Sequence, residues 1–438
     1  MAKIEDIRDV AERQLCTGCG ACAYIDPKRV RMVDVIDYGR RPLVAAEETP
    51  APETLAVCPG VHLEHRGLDE RSDILREFAP VWGPIIDVWE GYAADPEIRW
   101  AGSSGGAASA LALFAIERGG MHGLLHIKAR PDVPFLNHTV LSRTRAEILE
   151  GTGSRYAPAS PCDSLHLIEN APGPCVFIGK PCDVAALQKT RALRPELDAK
   201  VGLTIGFFCA GTPSTRGTLE MLEKMGVDPN DLRSVRYRGN GWPGLATAKA
   251  DADGKEATAT LTYDQSWGAI LQRHRQWRCY ICPDHTGEFA DIAVGDPWYR
   301  EIPAGEPGRS LVLARTPLGR RVLAEAMEAG YITLERLDPK RLPDSQPNLL
   351  KTRGAVWGRL VALRLAGAPV PRFRGMPMFP SWLRELSLKE KAQSIYGTIR
   401  RVVRKSLRKR IRLDEWQPQA LAPVNADGAK PHDAEASA

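Results

Sequence analysis

The 438-residue sequence has no apolar run approaching 18 residues, so no stretch of it reads as a membrane-spanning helix. It does not open like an exported protein either: Met1-Ala2-Lys3-Ile4-Glu5-Asp6 is acidic where a signal peptide would be basic and then greasy. A cytoplasmic protein is expected. No G-x-G-x-x-G follows a strand-like stretch, which removes the usual sign of a nicotinamide dinucleotide site. Acidic residues are missing from positions 399–412, where eight Lys and Arg stand together, and taking those eight from the net charge of +5 leaves −3 for the rest. By charge the body of the chain is therefore no nucleic-acid binder, and any electrostatic partner meets the C-terminal segment.

Cysteine is plentiful. Ten of them in a chain without an export signal argue for reduced thiols on metal rather than a disulfide framework. Three fall within seven residues, Cys16-Thr17-Gly18-Cys19-Gly20-Ala21-Cys22. A C-x2-C-x2-C run can wrap three thiolates round one face of a 4Fe-4S cubane, with Gly18 and Gly20 allowing the tight turns that aim amides at the sulfurs. Cys58, followed by Pro59, is the expected fourth ligand. A structural zinc site is the weaker alternative, because two thiols per knuckle suffice for zinc and the third would be idle.

The remaining text divides into regions. Residues 1–65 form a cysteine-bearing, ferredoxin-like module, and 66–83 a polar connector. Residues 84–345 alternate strands with helices, which predicts an α/β (α+β) domain with helices around a mixed sheet. Residues 346–413 read as a helical, basic extension, and 414–438 as a disordered tail. Three strand–loop–helix units carry the informative loops: Gly102-Ser103-Ser104-Gly105-Gly106 before a helix at Ala107, Gly179-Lys180-Pro181-Cys182-Asp183 after Val176-Phe177-Ile178, and Cys209 to Ser214 after Leu203 to Phe208. Ligands gather where such loops leave the carboxyl ends of strands.

The glycine- and serine-rich turn at 102–106 can offer free amides to an anion, although a helix cap that binds nothing accounts for it equally well on its own. Thr152-Gly153-Ser154-Arg155-Tyr156 adds a second small-residue turn with a cation and a ring. Cys182, Cys209, Cys279 and Cys282 lie between strands and helices, two of them as C-x2-C, and point to a second cluster. Cys175 reads as core, and Cys162 is open to two readings, a substitute cluster ligand or a residue near a flavin.

Taken in order, Ser103-Ser104-Gly105-Gly106, Gly153-Ser154-Arg155-Tyr156, Gly179-Lys180-Pro181-Cys182-Asp183, Cys209 ahead of Gly211-Thr212-Pro213-Ser214, Arg278-Cys279-x2-Cys282-x-Asp284 and Ala290-Asp291-Ile292-x2-Gly295-Asp296 resemble the coenzyme F420 hydrogenase/dehydrogenase beta-subunit family over roughly residues 14–360. The resemblance implies FAD and two 4Fe-4S clusters. It implies that Ser103, Ser104, Gly105, Gly106, Gly153, Ser154, Arg155, Tyr156 and Lys180 hold the flavin, that Cys16, Cys19, Cys22 and Cys58 hold one cluster, and that Cys182, Cys209, Cys279 and Cys282 hold the other. Many relatives have a Cys-Pro soon after the first cysteine run and a second full set; here Cys22 runs into Ala23-Tyr24-Ile25-Asp26-Pro27, so one N-terminal cluster is expected.

The expected function is an oxidoreductase moving electrons among the clusters, FAD and an organic two-electron partner: a deazaflavin, a tetrapyrrole or a polysaccharide-pathway intermediate. The alternative is a non-catalytic electron-transfer subunit of a larger redox complex. Either reading calls for a redox partner protein and leaves open a homo-oligomer. Within 395–412, Ile395, Ile399, Val402, Val403, Leu407 and Ile411 recur at helical spacing opposite the arginines. That design suits an acidic partner or a peripheral contact with an anionic membrane, and equally a helix packing one stripe on its own body.

Overall fold

The computed structural model describes residues 3–252, 254–303 and 305–417. An eight-stranded mixed sheet organises it, in the order Ile332–Arg336, Asp87–Ala93, Ser310–Ala314, Ile292–Gly295, Val201–Phe207, Cys175–Gly179, Leu124–Ala129, Asn137–Ser142. The strands at Ile292, Val201, Cys175 and Leu124 run parallel, and the flanking pairs are antiparallel. Parallel strands are covered on both faces, which explains why Cys175-Val-Phe-Ile-Gly179 is buried throughout.

The helices between strands start and stop where local chemistry dictates. Thr316 caps Pro317–Glu328 by accepting from the Gly319 amide at 3.1 Å, and Pro317 occupies the first turn, where its missing N–H costs nothing. Thr215–Met225 ends at Gly226 with φ of +72°, a left-handed position that suits glycine. The carboxyl ends of Asp87–Ala93, Cys175–Gly179, Val201–Phe207 and Ile292–Gly295 face one edge of the sheet, so the loops that follow them converge there.

Nine strands of the described residues were not expected from the sequence: the short ones at Val30–Val35, Gly39–Val44, His62–Glu64 and Arg372–Arg374, and five in the larger sheets. Leu124–Ala129 and Asn137–Ser142 form one edge of the sheet, and Leu232–Arg236, Ala246–Ala252 and Lys255–Leu261 make a separate antiparallel sheet. The stretch Ala246-Thr-Ala-Lys-Ala-Asp-Ala252 has little intrinsic strand preference, and pairing on both sides holds it.

Residues 3–65 fold as short helices, Ile7–Glu12, Ala21–Ile25 and Glu53–Ala56, around a hairpin of Val30–Val35 and Gly39–Val44. Their apolar residues share one core with the C-terminal helices: Ile7, Val10 and Leu15 pack with Val356, Leu360 and Leu363 of Leu349–Leu365, and with Val402 and Leu407. His62–Glu64 pairs in parallel with Arg372–Arg374. The basic segment is tied into the same region. Its helix spans Leu388–Arg404 and stops before Ser406, whose φ is +51°. Val402 and Leu407 are buried, whereas Val403 is 69% exposed. Arg410 pairs with Asp9 at 2.6 Å, and the Gln14 side-chain amide donates to the Lys405 carbonyl at 3.0 Å.

Of the expected tail, Glu415 pairs with Arg31 at 2.7 Å and the Trp416 amide donates to the Asp34 carbonyl at 2.8 Å, while 418–438 lie outside the described residues. Among the described residues no helix is long and apolar enough to cross a membrane.

The shared core yields a prediction. Leu360→Ala should cost about 2–5 kcal/mol, because it empties a site between the two ends of the chain. Hydrogen exchange should rise both at Val10–Leu15 and at Val402, whereas Val403→Ala should shift stability by no more than about 0.5 kcal/mol. A change confined to one end in L360A would show that the two ends do not share this core.

A cavity beside two cysteine sets

The converging loops enclose a cavity of 560 Å³. Ser103, Ser104, Gly106, Gly153, Ser154, Arg155, Tyr156 and Lys180 all lie on its wall. The two small-residue turns are joined directly, the Ser154 amide donating to the Ser103 hydroxyl at 2.5 Å. Gly105 stands behind that wall. A Cβ there would come within 2.8 Å of the Gly91 carbonyl and the Ser310 amide, and its own amide donates to the Ser310 hydroxyl at 2.9 Å. Close packing of the turn on two strands thus accounts for this glycine.

Two of the expected cations are already engaged by the protein. The guanidinium of Arg155 donates to the carbonyls of Pro134 at 2.7 Å and Val235 at 3.2 Å, and to the Asn137 side chain. Lys180 pairs with buried Asp183 at 2.5 Å, and Asp183 also accepts from the Lys180 amide at 3.1 Å, closing the start of helix Pro181–Arg191.

One end of the cavity joins Tyr156 and Asp296, both in motifs quoted above, to Arg238, Tyr263, Trp267 and Trp298, which the sequence did not mark. Arg238 is 3% exposed and holds Asp296 through two bonds of 2.8 and 3.0 Å. It also donates to the Ser103 carbonyl at 2.6 Å and the Tyr156 hydroxyl at 3.3 Å. Such a bidentate pair in a dry setting fixes geometry as well as charge. Trp242 donates its indole N–H to Asp296 at 2.8 Å. Tyr263 and Trp298 stack with centroids 5.4 Å apart, Tyr156 lies 4.8 Å from Trp267, and the Arg238 guanidinium sits 5.0 Å from the Tyr263 ring. The result is an aromatic wall suited to a planar ring. Arg238, Trp242, Tyr263, Trp267 and Trp298 come from separate segments with no common spacing, so no local pattern marked them. His285 lines the cavity as well: its Nδ1 faces the Cys209 carbonyl at 2.9 Å, and burial lowers its pKa to about 4, so the ring is neutral.

Cys16, Cys19, Cys22 and Cys58 are 6–7% exposed, and all ten cysteines are free of disulfides. Burial, with Cys58 and Cys16 adding like charge, pushes the Cys19 thiol up to about 12; burial and Cys16 push Cys58 up to about 11. Cys182, Cys209, Cys279 and Cys282 are half-buried and likewise act on one another. Burial and Cys279 push Cys209 up to about 12, and burial pushes Cys282 up to about 11. Thiols placed this way resist ionising in turn unless cations stand among them, so the donor sets suit a bound metal cluster. Backbone amides already point at sulfur, Gly18 to Cys16 at 3.3 Å and Thr212 to Cys279 at 3.4 Å. Among the described residues no three His, Cys, Asp or Glu side chains converge as one bound ion would require.

Cys182 sits in the first turn of the helix Pro181–Arg191 and Cys279 in the short helix Trp277–Tyr280, rather than in loops. Cys209 lies on the cavity wall. Cys162 is fully buried, its amide bonded to the Cys19 carbonyl at 2.9 Å and its thiol to the Asp183 carbonyl at 3.4 Å. Cys175 is buried in its strand.

Fold and site together define an α/β protein with a ligand-sized cavity at the carboxyl ends of its strands and Cys209 on the cavity wall. The chain belongs to the coenzyme F420 hydrogenase/dehydrogenase beta-subunit family, whose N-terminal pattern matches residues 88–166 and whose C-terminal pattern matches 174–340. It is 25% identical over 270 residues to the beta subunit of coenzyme F420 hydrogenase from Methanosarcina barkeri, covering 59% of this chain and 84% of the relative. With the beta subunit of F420-dependent formate dehydrogenase 1 from Methanococcus maripaludis it shares 26% identity over 251 residues, 57% of this chain and 62% of that one. A chain in the solved F420-reducing [NiFe] hydrogenase complex of Methanosarcina barkeri superposes with a TM-score of 0.48 at 23% identity, covering 63% of this chain and 93% of that chain.

Asp296→Asn should strand Arg238 without its counter-charge. The expected loss is about 3 kcal/mol in chemical denaturation, at the low end for a broken buried pair because Asp296 keeps some contact with water. Arg238→Lys should also destabilise, since a point charge cannot reproduce the fork. Unchanged stability in both variants would remove the clamp role.

Proposed function

We propose that the chain is an FAD-dependent iron–sulfur oxidoreductase acting on an organic two-electron partner. The observation that carries this reading is the shared wall: the Gly/Ser turns expected to hold the flavin and the loop bearing Cys209 line the same cavity. When bound, FAD would exchange one- and two-electron chemistry and the clusters would relay single electrons. The chain's own residues bind and orient. The turns Ser103–Gly106 and Gly153–Ser154, whose Gly105 and Ser154 amides are already bonded to Ser310 and Ser103, would meet phosphate through their remaining amides and hydroxyls, and Tyr156, Trp267, Tyr263 and Trp298 offer ring faces. Cys182, Cys209, Cys279 and Cys282 take the inner cluster, and Cys16, Cys19, Cys22 and Cys58 the outer one. Coenzyme F420, for which the relatives are named, is the first partner to test.

A second reading is an electron-transfer subunit that relies on other polypeptides for substrate chemistry, favoured by relatives named as beta subunits of hydrogenase and formate dehydrogenase. Turnover of the isolated chain with an artificial electron donor separates the two.

Protein purified without oxygen should carry about eight irons in two cubanes and one FAD. Iron near four would remove one cysteine set, and zinc in place of iron would sink the proposal. Cys19→Ala should slow reduction by an external one-electron donor while FAD stays bound. Cys282→Ala should lower flavin content, because its set ties together the loops of the cavity. The reverse pattern would overturn the assignment of inner and outer sets.

A further inference from the structure

Arg41 is among the largest fully buried side chains, 1% exposed, yet among the described residues it makes no ion pair with a carboxylate. Its Nη1 donates to the Arg40 carbonyl at 2.8 Å, its Nη2 to the Gln276 side-chain carbonyl at 3.0 Å, and its Nε has no partner. These bonds join the two cysteine regions. On one side, a Cβ at Gly18 would stand 3.1 Å from the Arg40 carbonyl and 3.8 Å from Nη1, so glycine there lets the Cys16–Cys22 run close on the guanidinium. On the other, the Gln276 carbonyl accepts from the Cys279 amide at 3.0 Å, and the Gln276 amide donates to Thr212, whose own amide points at the Cys279 sulfur. Burial lowers the Arg41 pKa, and the groups that act against this when ionised are Cys16, Cys279 and Tyr38. A buried guanidinium with two neutral acceptors is costly to hold unless negative charge arrives nearby.

We propose that Arg41 is a fixed cation shared by the two cysteine sets, favouring the reduced state of the cluster in each. The inference rests on the iron–sulfur reading above. A cluster that takes up one electron gains one negative charge, and a guanidinium held in a dry interior stabilises that charge. Arg41 itself accepts neither electron nor proton; it is a positioning residue for charge.

The test is an EPR-monitored redox titration of the anaerobically purified full chain, alongside R41Q and R41K, with iron content measured for each. In R41Q both midpoints should fall, each by about tenfold in the reduced-to-oxidised equilibrium, or about 59 mV for a one-electron couple. In R41K a single ammonium cannot bridge both acceptors as the guanidinium fork does, and the adjacent Arg40 carbonyl is expected to keep it at the expense of Gln276. The midpoint on the Cys16 side should therefore hold, and the one on the Cys279 side should fall. The two signals are assigned with the Cys19→Ala and Cys282→Ala proteins. Full iron content with midpoints equal to those of the unmodified chain in both variants would overturn the role of Arg41 and leave the cluster reading standing. An unmodified chain without iron would overturn the cluster reading instead. Should R41Q fail to hold iron, R41K alone decides, and an unmoved midpoint on the Cys279 side overturns the proposal.

Discussion

Eight thiols are gathered in two sets inside a protein that offers few counter-charges of its own, and the rest of the molecule is arranged around that concentration of sulfur. Burial first, and neighbouring thiols second, make these groups harder to ionise, and the pKa values of Cys19, Cys58, Cys209 and Cys282 are all raised. A neutral set of thiols would be tolerated as small apolar side chains, but the amides from Gly18 and Thr212 aimed at sulfur are the partners of thiolates. Backbone conformation is spent to bring them there: Gly18, Gly20 and Gly211 all sit at positive φ.

Much of this was legible in the sequence, for reasons that can be stated residue by residue. Cys16, Cys19 and Cys22 are near in sequence, so a short loop must bring them together. Strands such as Cys175–Gly179 and Ser310–Ala314 are unbroken apolar runs, and helix Pro317–Glu328 has its cap and its glycine stop written at its ends. The aromatic wall and the Arg238–Asp296 pair were not legible, because Tyr156, Arg238, Tyr263, Trp298 and Asp296 meet only through tertiary folding. Arg155 shows the opposite limit: its position on the cavity wall could be anticipated, but its bonds to Pro134 and Val235 could not.

The basic segment illustrates how tertiary packing decides between readings that periodicity leaves equal. Its apolar spacing served both a partner surface and the protein's own interior. In the structure Val402 and Leu407 are buried with Leu15 and Leu360, and Arg410 is used on Asp9, so much of that charge and apolar surface serves the fold.

The parallel pairing of His62–Glu64 with Arg372–Arg374 has a consequence for how the molecule is made. The N-terminal segment leaves the ribosome first, yet the residues that complete its core lie some three hundred positions later. At about 5–20 residues per second, roughly 15–60 s of synthesis separate the first cysteine run from the helices that enclose it. During that interval Cys16 and Cys22 are open to solvent and to oxidants, whereas Cys19, which packs with Cys162 and Leu165, and the central sheet can close as their strands emerge. The set nearest the start of the chain is therefore the last to be enclosed.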